Sequence, residues 1–286
     1  MQYDSRFIAQ AAVRALLYEV SVHPKPGLVD PVGSGPHPDM TVFTFIDSAV
    51  ALRDYFDAAA RCGADFAGAD LTALFERLRA LGRGAEREMF EATDGVNTHK
   101  GAVFSLGVAV GATSHYCKSH DYGTTGVQEV IKRMLAGFTA RDLRLLEGKP
   151  DFELTAGERQ YLKTGATGVR GEAEAGFPSV IDVALPLLRG SRGNGDLNTR
   201  LLDVLMLLAG RTEDSNLVKR AGDPAVLDWM HDRSERYFSL GGAGTEAGMR
   251  LLGELNEECL ERNLSLGGSA DLLILTIFFG FMEGIM

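Results

Sequence analysis

Apolar residues recur every three or four positions along most of the chain. Leu71, Leu74, Phe75, Leu78 and Leu81 form one stripe, and Val127, Val130, Ile131, Met134 and Leu135 form another. This is the spacing of a helix with one face turned to a core. The pattern predicts helices near 5–22, 41–62, 70–92, 101–119, 125–148, 155–164, 178–189, 198–210, 223–237, 245–262 and 269–283. Asp39 or Thr41, Asp70, and Thr124 or Thr125 stand where N-caps belong, and Thr155 with Glu158 has capping-box spacing. Gly63, Gly95, Gly210 and Gly222 follow periodic runs and read as helix stops. No alternating β-branched runs meet at a tight turn, and strands do not alternate with helices. The expected fold is all-α, a single compact multi-helix domain over 1–286, which excludes Rossmann and P-loop architectures.

Composition sharpens this picture. With 286 residues, 45% of them hydrophobic, the chain can bury one large core. A formal net charge of −10 argues against a nucleic-acid binder, which needs a broad basic surface. An anionic ligand must therefore be met locally. Three cysteines, with no Cys-x-x-Cys spacing, give neither a disulfide framework nor a zinc site. That suits a reducing compartment, and a cytoplasmic location is expected. Asp4 and Arg6 precede a mixed helix rather than an apolar leader. The most apolar stretch, 272–282, falls short of the about 20 residues that span a bilayer and reads as a buried helix, so no membrane partner is expected.

Five polar, glycine-flanked runs interrupt the helical pattern: 24–30, 95–101, 168–178, 213–216 and 267–271. In the first, two prolines stiffen a turn that presents Lys25 and Asp30, although the same residues make an ordinary helix-ending loop. In the second, Asn97, Thr98, His99 and Lys100 stand at the start of a helix, where unpaired N–H groups suit phosphate oxygens. Simple capping is the alternative. The third run carries Arg170, Glu172 and Glu174 among glycines at 165, 168, 171 and 176. A guanidinium can fork onto a phosphate. The two glutamates, two positions apart, converge only from an extended segment, where they would serve magnesium or act as base; a solvated acidic turn is the other reading. Asp214, Asn216 and Asp271 add oxygen donors, and both aspartates also suit helix starts. No Walker loop, His-Glu-x-x-His or Gly-x-Ser-x-Gly motif occurs, and His231-Asp232 is too short a match to weigh.

Basic groups cradled by glycine beside carboxylates are parts for holding a magnesium polyphosphate nucleotide in a central pocket. Together the runs resemble the triphosphoribosyl-dephospho-coenzyme A synthase family. The resemblance rests on 23–30, 95–101, 168–177, Asp214-Ser215-Asn216 and 263–273, in family order across almost the whole chain. His23, Ser215 and Leu266 stand where the family usually has Ser, Thr and Pro. The resemblance implies that the 2′-hydroxyl of 3′-dephospho-coenzyme A attacks C1 of the ATP ribose and adenine leaves. The triphosphate stays on the transferred sugar, and the product is a prosthetic-group precursor for the acyl carrier protein of citrate lyase or malonate decarboxylase. It also implies ATP as substrate, magnesium as cofactor, and a downstream transferase acting on that carrier protein. The number of subunits stays open, a homodimer among the options. The roles it suggests are Glu172, Glu174 and His99 in catalysis. Lys25, Asn97, Thr98, Lys100, Arg170, Asn216 and Ser269 would bind ATP, and Asp30, Glu174, Asp214 and Asp271 would bind metal. Two rivals remain: an all-α magnesium-dependent nucleotide hydrolase, and a noncatalytic nucleotide-sensing module.

Overall fold

A computed structural model describes residues 3–144, 162 and 167–286. Helices α1 (Ser5–Ser21), α2 (Val42–Ala51), α3 (Arg53–Asp65), α4 (Leu71–Ala92), α5 (Lys100–Cys117), α6 (Thr124–Met134) and α7 (Phe138–Arg144) come first. Then follow α8 (Gly168–Glu174), a π turn over Ser179–Ala184 running into α9 (Leu185–Gly190), α10 (Leu197–Arg211) and α11 (Ser215–Ala221). The chain closes with α12 (Val226–Ser239), α13 (Glu246–Glu261) and α14 (Gly267–Glu283). The described residues contain no strand, as the periodicity predicts.

Helices α5 and α14 are buried on nearly every side. Both are apolar around their whole circumference, so each must lie inside the protein. Helix α5 packs against α3, α4, α6 and α14, while α14 packs against α1, α5 and α10. The buried apolar side chains of all these helices join in one continuous core. No helix among the described residues is long and apolar enough to cross a membrane.

Glycine does two different jobs here. Gly95 (φ +86°) and Gly222 (φ +73°) end α4 and α11 in the left-handed conformation, as expected. Gly63 and Gly210 instead lie inside α3 and α10, because they are sites of close approach. A Cβ on Gly63 would sit 2.1 Å from the Gly111 carbonyl oxygen, and one on Gly210 would sit 2.3 Å from the Ser234 Cβ. Neither contact tolerates a side chain.

Thr41 caps α2 through a box with Thr44, and Asp70 caps α4 through the Thr72 N–H. Thr124 differs: Gly123 holds the cap position, and the Thr124 hydroxyl is spent on Glu283. The helix expected over 41–62 breaks at Leu52, and that expected over 125–148 breaks at Gly137 (φ +68°). The helix expected over 155–164, with its Thr155–Glu158 box, lies outside the described residues except for position 162. The run expected to be extended, 168–174, is helical, with positive φ confined to Gly168, Gly176 and Phe177 at its edges.

Candidate active site

The starts of α5, α11 and α14 converge, and Asp214 ties two of them together. As the N-cap of α11 it accepts from the N–H groups of Asn216 (3.0 Å) and Leu217 (3.1 Å). Its carboxylate also accepts from the N–H groups of Gly268 (3.2 Å) and Ser269 (2.8 Å) and from the Ser269 hydroxyl (2.9 Å), all in the first turn of α14. Only glycine fits this junction, since a Cβ on Gly268 would lie 2.8 Å from the Asp214 Oδ1. The third start, α5, is brought against α14 by Gly101, where a Cβ would lie 1.9 Å from the Asp271 Oδ2. Three helix starts therefore meet in one region, with the Asp214 carboxylate already seated on two of them.

That region opens into a cavity of about 610 Å³. One wall is aromatic: Phe75, Phe104 and Phe138 pack with ring centroids 4.9 to 6.3 Å apart. The rim is basic, with Arg79, Arg83, Lys100, Arg170 and Lys219 set against Glu86 and Asp142. Asp142 bridges Arg79 (2.9 Å) and Arg170 (3.4 Å), and Glu86 meets Lys100 at 3.3 Å. Arg83 and Lys219 are exposed and have no ion-pair partner among the described residues. On a chain of net charge −10 this is a local basic patch beside an apolar wall, which suits an aromatic base carrying a polyphosphate.

Of the residues singled out in the sequence, Asn97, Lys100, Arg170 and Asn216 line this cavity. Asp271 lies immediately behind it through Gly101. Half-buried, Asp271 accepts no hydrogen bond among the described residues. Burial, then the nearby Glu19 and Asp214 carboxylates, push its pKa up to about 8.

The others are held away from the lining. Lys25 is sealed in the interior, its ammonium donating to the Glu19 carbonyl (2.8 Å) and carboxylate, so it is shut away from a phosphate in the cavity. The Thr98 hydroxyl donates to Ser48 Oγ (2.8 Å), and Ser48 Oγ meets His99 Nδ1 at 2.7 Å. The proton of His99 thus belongs on Nε2, which is buried and has no hydrogen-bond partner. Burial, then the Lys25 charge, lower the His99 pKa to about 3. Ser269 is spent on Asp214.

The carboxylates expected to act in chemistry or on metal are mostly engaged with backbone. Asp30 accepts from the N–H groups of Val32 (2.8 Å), Gly33 (2.9 Å) and Lys25 (3.2 Å), and His23 Nδ1 lies at 2.7 Å. Glu174 accepts from Gly137 N–H (2.8 Å) and Thr139 N–H (2.9 Å), and these bonds lower its pKa against the opposing effect of burial. Glu172 accepts from Ser179 N–H at 2.7 Å, and its pKa is raised by burial. Helical geometry turns the two glutamates in different directions, as i and i+2 must be. Among the described residues no group of three or more His, Cys, Asp or Glu could hold a metal ion. The lone pairs of Asp30 and Asp214 are taken, each oxygen of Glu174 already accepts one backbone N–H, and the three carboxylates do not gather at one point, so they do not fit a resident magnesium centre.

The sequence pattern alone passed over Arg79, Arg83, Glu86, Asp142, Lys219 and the aromatic wall. A signal existed in α4, where Phe75, Leu78, Arg79, Gly82, Arg83 and Glu86 occupy one face at three- and four-residue spacing. An apolar stripe that turns basic halfway along a helix marks a face leaving the core for a cleft.

An all-α scaffold with a basic-rimmed, aromatic-walled cavity at converging helix starts has the features of a nucleotide-handling protein. Residues 5–285 match the CitG family, described as ATP:dephospho-CoA triphosphoribosyl transferase, and the chain belongs to that family. It is 56% identical over 283 residues to a protein of Lactiplantibacillus plantarum named "Probable 2-(5''-triphosphoribosyl)-3'-dephosphocoenzyme-A synthase", with 99% of each chain covered. A Streptococcus equi subsp. equi protein of the same name is 41% identical, with 96% of each chain covered. Protein CitXG of Leuconostoc mesenteroides subsp. cremoris is 48% identical over 97% of this chain and 59% of its own length. No solved structure matches. The chain is accordingly a transferase of the triphosphoribosyl group from ATP to dephospho-CoA.

Proposed function

We propose that the cavity between α4, α5, α8 and α11 is where ATP binds and where this transfer takes place. One observation carries the assignment: the starts of α5 and α11 and the basic rim meet at the cavity that Phe75, Phe104 and Phe138 wall. The rim provides charge for a triphosphate and the rings provide a stacking surface for adenine. Lys100, Arg83, Arg170 and Lys219 take the phosphates, while Asn97 and Asn216 orient phosphate or ribose oxygens. The 2′-hydroxyl oxygen of dephospho-CoA bonds to C1 of the ribose as the bond from C1 to adenine breaks, the bonding pair leaving with adenine, which takes up a proton in place of the one the hydroxyl loses. The positive charge that develops on the sugar is stabilised by carboxylate nearby. Magnesium enters with ATP, offsetting phosphate charge, and no step depends on a protein-held ion.

The product serves as the prosthetic-group precursor of an acyl carrier protein, that of citrate lyase or malonate decarboxylase, delivered by a second transferase. The name CitXG of the longer Leuconostoc relative is in keeping with the citrate lyase branch. Incubation with ATP, magnesium and 3′-dephospho-CoA tests the reading. Free adenine with a triphosphoribosyl adduct supports it. Phosphate or pyrophosphate without adenine would support a hydrolase, and binding without turnover a sensing module.

A further inference from the structure

The transfer joins two nucleotides, and each needs a place to lie. The cavity assigned to ATP, about 610 Å³, has the ordinary size of a site for one small ligand. Beside it, over α4 and α7, lies a second hollow of about 720 Å³ that is more open to solvent. Arg79, Phe138 and Asp142 line both and form the wall between them. In that wall the Asp142 carboxylate holds Arg79 at 2.9 Å and Arg170 at 3.4 Å, which pins α4, α7 and α8 together where the hollows meet. Beyond the wall the hollow is largely apolar, with Phe138 and Ala140 on its floor and Glu76 and Arg141 at its edge. Glu76 meets Arg79 at 4.0 Å. Arg141 is exposed and spends one N–H on the Ala136 carbonyl (2.8 Å). It forms no ion pair among the described residues, although Asp70 and Glu174 feel its charge. Its other donors are open to a ligand.

We propose that this second hollow binds the acceptor, 3′-dephospho-CoA. This rests on the neighbouring cavity being the ATP site. The acceptor hydroxyl must come within bonding distance of C1 while each substrate keeps its own phosphates apart from the other's, so the two sites have to touch at the riboses and diverge elsewhere. Two hollows with one wall in common meet that requirement. The acceptor ribose lies at the wall of Arg79 and Asp142, its diphosphate takes Arg141, and its uncharged pantetheine arm runs over Phe138 and Ala140 toward solvent. Arg79, standing between the hollows, offsets the repulsion of diphosphate and triphosphate.

Two variants at exposed positions of α7 test the assignment. Ala140→Trp fills the hollow, and Arg141→Gln removes its cation. In each, KM for 3′-dephospho-CoA, read from adenine release, should rise about tenfold or more, the size of a lost charge-assisted hydrogen bond. ATP affinity by calorimetric titration should stay within about twofold of wild type, as for a site that does not share those contacts. An unchanged KM for dephospho-CoA in either folded variant would overturn the proposal. A loss of ATP affinity as large as the rise in that KM would overturn it too, because the hollow would then be part of the ATP site. The assignment of the ATP cavity fails by a different result: ATP affinity unaltered in both Arg83→Ala and Lys219→Ala. Should Ala140→Trp not fold, Arg141→Gln decides alone.

Discussion

Lys25 and Lys100 both stand in glycine-flanked polar runs, yet the fold uses them in opposite ways. The Lys25 side chain is 1% exposed and locked to Glu19, whereas that of Lys100 is 49% exposed at the cavity rim. Behind the rim, Lys25 bonds to Glu19 of α1, Thr98 and His99 bond to Ser48 and tie the start of α5 to α2, and Ser269 bonds to Asp214 and ties α14 to α11. At the rim the cations face solvent. The same residue types thus provide an internal scaffold in one region and a ligand surface in the other. Burial and a committed partner decide which.

The sharpest way to break this comparison is to remove one buried partner. Lys25→Met leaves the Glu19 carboxylate buried and uncompensated, and should cost about 3–5 kcal/mol, read from the urea midpoint. Adding Glu19→Leu should recover most of the loss, because the unpaired charge is then gone. Lys100→Met should cost under about 1 kcal/mol of stability, since its partner is solvated, and should instead weaken ATP binding. Equal destabilisation by both single variants would erase the distinction.

His99 sharpens the contrast through pH. Its folded-state pKa, about 3, lies below the ordinary 6.5 because burial and Lys25 oppose the charged ring. The stability contribution of His99 is therefore complete above pH 6.5 and is lost as the pH falls toward 3. The slope below the upper limit is roughly 1 kcal/mol per pH unit for one group. His99→Gln, measured by urea unfolding from pH 7 to pH 5, should show a shallower pH dependence; an unchanged slope would place the titrating group elsewhere.

The sequence revealed Lys100 and Arg170 of the charged rim and offered part of the buried scaffold as ligand groups. Helical periodicity shows which segments pack, and Thr41, Asp70, Gly95 and Gly222 act as their residue types suggest. Gly63 and Gly210 misled because a glycine that admits a neighbouring helix looks the same, in one dimension, as one that ends its own. The runs around Asn97, Lys100 and Asn216 reach the cavity, as polar residues at helix starts can. Lys25 does not, because its partner Glu19 reads as just another position in an amphipathic helix. The arginines of α4 escape notice for the converse reason: taken singly, a cation facing a cavity looks like one facing bulk water, and only the stripe shared with Phe75 and Leu78 sets them apart.

Arg83 and Lys219 allow that point to be tested at the rim. Each lacks an ion-pair partner among the described residues, so Arg83→Ala or Lys219→Ala should change stability by less than about 0.5 kcal/mol. Each should weaken ATP binding on the order of tenfold, the size of a lost charge-assisted hydrogen bond, with the deficit shrinking at high salt. Calorimetric titration with ATP at two ionic strengths measures both effects. Unchanged affinity in both variants would move the triphosphate away from this rim.

The smallest effect belongs to Glu172 and Glu174, which look most catalytic in the sequence. Glu174 caps the region before α7 by accepting from Gly137 and Thr139, and Glu172 accepts from Ser179. Glutamine keeps a carbonyl oxygen that can accept one of these bonds but lacks the charge that strengthens them. Glu174→Gln should therefore lose about 1 kcal/mol of stability. Glu172→Gln should lose less, because burial already raises the pKa of its carboxyl and makes the neutral side chain a closer substitute. Adenine release by both variants should stay near normal, since neither carboxylate lines the cavity. A large fall in turnover with ATP affinity intact, in either variant, would bring α8 into the chemistry.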